Sequence, residues 1–192
     1  MKTGKNVLKI GVIVLFTLFT ISSAYSQATK YSAKNNLGIT VSGGSSLHDW
    51  DMKGTQGEVV ATITLNAANQ ITAVSDLSFV TPSKGIKSEH GSMMDNKAYD
   101  ALKADKNANI TFTAASATVT GNTIKAIGKL TIAGVTRDAE VDATYKVNAD
   151  KSISINGSKA ISLKDFSITP PSVMFMKVKN DLKISFTLTL KK

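Results

Sequence analysis

A two-residue alternation running on both sides of Gly134 constrains this chain more than any other feature. Ile124, Ala126, Gly128, Leu130 and Ile132 share one parity, with Lys125, Lys129 and Thr131 on the other. Beyond the glycine, Ala139, Val141, Ala143, Tyr145 and Val147 alternate with Glu140, Asp142, Thr144 and Lys146. Successive strand side chains point to opposite faces, so the pattern describes two half-buried antiparallel strands. Gly134 can supply the positive φ that a tight turn between them demands.

The rest of the chain repeats this alternation. Residues 37–41 read as an opening strand, and residues 42–46 (Ser-Gly-Gly-Ser-Ser) as a flexible turn leading into Leu47-His48-Asp49-Trp50. Val59, Ala61, Ile63 and Leu65 mark the next strand. Ile71, Ala73, Leu77 and Phe79 mark its partner, with a bulge expected at Ser75-Asp76. Strand character returns over residues 110–114, Gly121-Asn122 signals a hairpin, and residues 148–150 form a turn. Ile153 and Ile155 carry a further strand and residues 163–168 a short irregular one, ended by Pro170-Pro171. Leu182, Ile184, Phe186, Leu188 and Leu190 face one way in the last strand. One helix is expected over residues 92–103. Ser92 and Asp95 resemble a capping box there, and Met94, Ala98 and Leu102 form an apolar stripe. The pattern is that of an all-β sandwich or barrel of about eight to ten strands with one short helix.

Residues 1–26 read as a signal peptide. Lys2, Lys5 and Lys9 precede a 12-residue uncharged, mostly apolar run, and Ala24 and Ser26 stand at positions −3 and −1 of a cleavage site after Ser26. The run is shorter than the ~20 residues of a spanning helix. The expected mature protein is periplasmic or secreted, a single domain over residues 27–192. With no cysteine in the chain, lipoprotein acylation, disulfides and thiolate chemistry are excluded. Cleavage removes three lysines and no acid, so a net charge of +9 becomes +6. The remaining lysines are spread along the chain with no basic, aromatic-interleaved run. Nucleic-acid binding is therefore unsupported, while transient contact with an anionic membrane surface is compatible. Oligomeric state is left open, a homodimer included.

Catalysis finds no strong candidate. His48 lies among Asp49 and Asp51, and His90 beside Glu89, but neither has the spacing of a zinc signature. There is no Gly-x-Ser-x-Gly, no phosphate-cradling loop and no cofactor motif. A metal-dependent hydrolase built on His48 and His90 is the weakest of the readings. Trp50, the only tryptophan, is expected to anchor a core or rim with its N–H partnered. Arg137 is expected in a surface salt bridge to Asp138 or Glu140. Small residues recur at inward positions: Ala61, Ala114, Ala126, Gly128 and Ala143. They fit either the taper of a packed barrel, serving structure or interaction, or a ligand-holding lumen.

Three stretches together resemble the YceI-like family of exported bacterial lipid-binding proteins. Residues 128–137 (Gly-Lys-Leu-Thr-Ile-Ala-Gly-Val-Thr-Arg) resemble the family's G-x-L-T-I-x-G-V-T-R turn, and residues 100–112 resemble its helix exit into I-T-F. Residues 46–50 (Ser-Leu-His-Asp-Trp) are similar to a variant of one branch. The chain departs in having Ala108-Asn109 where the family usually has a proline. The resemblance spans nearly all of the mature chain. It implies an extended, lipocalin-like antiparallel barrel that carries or sequesters a polyisoprenoid or other long-chain lipid, without catalysis or cofactor. The residues expected to touch that ligand are Trp50, Phe79, Phe112, Ala114, Ala126, Gly128, Leu130, Ile132, Val141, Ala143, Met174, Ile184 and Phe186.

Overall fold

A computed structural model describes residues 27–89, 91–173 and 176–192. The expected signal peptide, His90 and Met174 lie outside the described residues. In chain order the elements are β1 (Ala28–Lys34), β2 (Gly38–Ser45), β3 (Asp49–Gly54), β4 (Glu58–Leu65), β5 (Ile71–Pro82), β6 (Ile86–Ser88), α1 (Ser92–Leu102), β7 (Asn109–Thr120), β8 (Thr123–Ile132), β9 (Val135–Val147), β10 (Ile153–Ser162), β11 (Ser172–Val173) and β12 (Met176–Leu190). Two 3-10 turns, Ser83–Gly85 and Leu163–Phe166, complete the set.

All pairings are antiparallel, and the strands follow the order β1-β4-β5-β7-β8-β9-β10-β12-β2-β3-β6, with β11 on β12. The sheet curls until its edge strand β1 meets the chain beside β12, with β2, β3 and β6 continuing the sheet past that junction. Ser32 N–H donates to Lys191 O at 2.7 Å and Lys191 N–H to Ser32 O at 2.8 Å, joining β1 to the chain just past β12. The result is the extended antiparallel barrel with one short helix. The central hairpin forms as its turn residues dictate: Ala133 (φ 51°) and Gly134 (φ 79°) both have positive φ, as a two-residue type I′ loop requires. Gly121-Asn122 makes a second two-residue loop.

Several local expectations are corrected. Residues 42–46 are not a loop: β2 runs through Ser45, and only the Ser45–His48 link turns, held by the Ser45 hydroxyl. A separate strand, β1, precedes the expected opening one, and two consecutive positive-φ residues, Asn35 and Asn36, redirect the chain between them. Residues 163–166 coil as a 3-10 turn rather than a strand, burying Leu163 and Phe166. The capping box does not form. Gly91 (φ 90°) is the N-cap, and Asp95 instead accepts the Ser88 N–H at 2.6 Å, tying the helix to β6. The bulge at Ser75-Asp76 is present, with Asp76 at φ 51° and the β4–β5 register slipping there. That bulge turns Val74 inward and leaves Ala73 exposed, and a second slip, near Thr64, returns Ile71 to the interior.

Candidate functional site

The barrel interior divides into two apolar clusters. At the closed end Tyr31, Leu37, Ile63, Ile71, Ile153 and Leu190 pack with almost no exposure. At the other end Met52, Ile110, Phe112, Ile132, Phe166 and Ile168 are buried beneath Ala98, Ala101 and Leu102 of α1. Contacts that fasten the helix at this mouth include the Asp95–Ser88 bond, Tyr99 Oη donating to Lys84 O at 3.0 Å, and the Lys84–Asp105 ion pair at 2.5 Å just beyond its end. Partial burial pushes the Tyr99 phenol pKa up, and the Asp105 carboxyl is held below its ordinary value by its hydrogen bond from Lys84.

Between the clusters lies a cavity of about 280 Å³, lined by residues of both. A packed core would bury its inward side chains completely. Here Leu77, Phe79, Val141, Ile155, Ile161, Ile184 and Phe186 all line the cavity yet remain only half-buried. Their free surface faces the hollow. Ala61, Ala126 and Ala143 are the small residues that keep it open on β4, β8 and β9.

Ten of the thirteen expected contact residues line this cavity: Trp50, Phe79, Phe112, Ala126, Leu130, Ile132, Val141, Ala143, Ile184 and Phe186. Ala114 and Gly128 do not, which is a correction with a specific cause. Between Thr113 and Ala117 the β7–β8 register slips, three β7 residues opposing two of β8. At this bulge the β7 backbone presses on Gly128, so an added Cβ would stand far inside 3.0 Å of Thr113 O and 2.9 Å from the Ala114 Cβ. Gly128 serves a close backbone approach, not a lumen. Both residues border a shallow outer depression with Asp76 and Lys129.

Four polar groups were not read correctly from sequence. Arg137 donates its Nε–H to Asp165 O at 2.7 Å, pinning the Leu163–Phe166 turn to β9, while Lys129 takes Asp138 and Lys125 takes Glu140. The buried indole N–H of Trp50 has no partner among the described residues. Trp50 can lie along the wall because Gly43 opposite has no side chain: a Cβ there would overlap the indole and Leu182. Lys97 and Lys159 also line the cavity, beside Thr81, whose hydroxyl is satisfied by Gln56 O at 2.9 Å. The sequence signal for Lys159 was its parity: Ile153, Ile155, Gly157, Lys159 and Ile161 alternate with polar or small outward residues.

His48 is exposed, with Nδ1 2.8 Å from Asp49 O. Among the described residues no three His, Cys, Asp or Glu side chains stand close enough to hold a metal.

An antiparallel barrel enclosing an apolar cavity beneath a helix defines the class: a β-barrel built around an internal hollow. Residues 24–190 match the YceI-like domain, and the chain belongs to that family. Among solved structures it is similar to BcnA of Burkholderia cenocepacia, at 16% identity and TM-score 0.61 over 80% of this chain and 96% of that one. It is likewise similar to a polyisoprenoid binding domain from Saccharophagus degradans implicated in plant cell wall breakdown. There the identity is 9% and the TM-score 0.64, over 86% and 99% of the two chains. A Campylobacter jejuni YceI protein gives 17% identity and TM-score 0.54, over 100% and 94%. At these identities the likeness is one of fold. No curated protein matches the sequence.

Proposed function

We propose that this protein is an exported carrier that binds a long-chain amphiphile, a polyisoprenoid or similar lipid, in the barrel lumen and catalyses no reaction. The observation that carries the reading is the cavity itself, whose half-exposed lining is almost wholly aliphatic and aromatic. The family, and the polyisoprenoid-binding description of the Saccharophagus domain, support it. Residues 1–26 serve as a signal peptide cleaved after Ser26, delivering the domain of residues 27–192 to the periplasm or medium.

Magnitudes favour a long chain. Burying a methylene contributes about 0.8 kcal/mol, and association costs on the order of 8 kcal/mol in lost freedom. Micromolar binding at about −8 kcal/mol then requires roughly twenty buried methylenes or their equivalent. Short amphiphiles fall below that threshold. Of the ten lining residues named above, the cross-strand pair Phe79 and Phe112 would contact the chain from β5 and β7, and Phe186 from β12.

The test is organic extraction of the purified, exported protein followed by mass spectrometry. A stoichiometric long-chain lipid is the expected result. Protein that yields none, and whose thermal midpoint is unmoved by any added lipid, is a packed structural barrel instead.

A further inference from the structure

Lys159 stands where the barrel wall parts. The β9–β10 ladder runs from Val147↔Ile153 to Asp142↔Ser158 and ends there. Lys159 is the next residue on β10, paired only on its other side, with Ile184 of β12. Above this point β9 continues to Val135 paired with β8 alone. The next tie from β9 is Arg137, which reaches Asp165 O in the turn that follows β10. A lateral gap is thus framed by Asp142–Ser158 below and Arg137–Asp165 above, with Lys159 on its inner edge.

Lysine is a costly residue at an inward barrel position, because a buried ammonium without a counter-charge is strongly disfavoured. Lys159 is half-buried and sits between cavity-lining Ile155 and Ile161 on its own strand. Among the described residues no Asp or Glu lines the cavity, and Lys159 takes part in no ion pair. Its stem can lie along the apolar wall while its head reaches the gap. The unpartnered indole N–H of Trp50 belongs to a different part of the wall, on β3, separated from β10 by β12 and β2. Lys159 is thus a cation facing a lining that, among the described residues, holds no carboxylate.

We propose that Lys159 receives the anionic head of the bound chain at this gap, so that the preferred ligand is a long-chain amphiphile ending in a carboxylate or a phosphate. The inference rests on the carrier reading given above and adds to it the chemistry of the ligand's end. The tail extends from Lys159 into the hollow between Phe186 and Phe112, and the head stays at the β9–β10 parting.

The experiment uses the delipidated full-length mature protein and four probes: oleate, oleyl alcohol, geranylgeranyl monophosphate and geranylgeraniol. Trp50, being the only tryptophan and part of the cavity wall, reports binding by its fluorescence. A charge-assisted hydrogen bond predicts that each acid binds at least about tenfold tighter than its alcohol. That ratio falls to about one in Lys159→Met and in Lys159→Gln, and returns in Lys159→Arg. Preference for both acids makes the shared charge the recognised feature, and preference for one alone identifies which head the site takes. Equal binding of acid and alcohol by the wild type overturns the assignment while leaving the carrier reading intact, as does a preference that survives both lysine replacements. Failure of all four probes to bind overturns both.

Discussion

Gly128→Ala separates two roles that a small inward residue can play. If the position faced a hollow, the added methyl would meet only empty space. The change would then raise stability by about 0.4–1 kcal/mol through the unfolded chain, since Gly128 is not among the residues with positive φ. The structure demands the opposite sign. The new Cβ would collide with the carbonyl of Thr113, a backbone atom held in the β7 bulge by pairing with β5 on one side and β8 on the other. The strands must separate by about an ångström to restore ordinary contact, and overpacking of this kind costs about 1–3 kcal/mol. For a domain of this size each kcal/mol moves the midpoint by about 2–4 °C, so a fall of about 2–12 °C is expected for the delipidated protein. Calorimetry on wild type and variant measures it directly. An unchanged or raised midpoint, accompanied by weaker lipid binding, would refute the close-approach account and return Gly128 to the lumen wall.

Other consequences can be checked alongside. Ala126→Leu projects into the cavity, so chain affinity should drop at least about tenfold while the midpoint of delipidated protein moves by no more than about 5 °C, read by titration and calorimetry. Arg137→Ala removes the tie to Asp165 O, a bond of about 0.5–1.5 kcal/mol. Hydrogen exchange should then accelerate over residues 163–168 before it does in β8. The Asp150 carboxyl is held below its ordinary 3.8, chiefly by the Ser152 hydroxyl at 2.6 Å, with help from the Ser152 N–H at 3.0 Å. A depressed carboxyl stabilises the fold above its unfolded value and loses that contribution as pH falls through its folded one. The midpoint deficit of Asp150→Asn should therefore be full above about pH 4 and shrink as pH drops below 3.8, and a deficit constant across that range would refute the assignment.

What could be read from the sequence was local. The alternation of β8, β9 and β12 and the turn chemistry of Gly134 and Gly121 need only neighbours along the chain, and they specify the hairpins without reference to the rest. Bulges are different. Ala114-Ala115-Ser116-Ala117 contains no residue whose size marks where parity switches, so Phe112 and Val119 both point inward across an odd interval with nothing local to announce it. The same blindness reversed Ala73 and Val74 on β5. Gly43 looked like loop chemistry because the indole lying over it comes from the next strand. Of the site, the large apolar contacts were legible from parity. Lys159 was not, because its meaning depends on where the β9 ladder stops.

The hollow has an energetic consequence that bears on why the chain is built this way. An unfilled apolar cavity forgoes about 24 cal/mol per Å³, so 280 Å³ corresponds to on the order of 7 kcal/mol of packing left unmade. A domain's entire stability is about 5–15 kcal/mol. Larger aliphatic side chains at Ala61, Ala126 and Ala143 would recover part of this, and such cavity filling is among the readily available routes to a more stable protein. These three positions hold alanine, a poor strand former, at cavity-lining sites on β4, β8 and β9. A barrel needed only for its outer surface gains nothing from that choice. A barrel that takes up a chain gains a matching vacancy. At about 0.8 kcal/mol per methylene, roughly nine buried methylenes restore what the empty core lacks. On the carrier reading proposed above, a bound lipid would complete the core between the Tyr31 and Phe112 clusters, and protein stripped of it would be the less stable form.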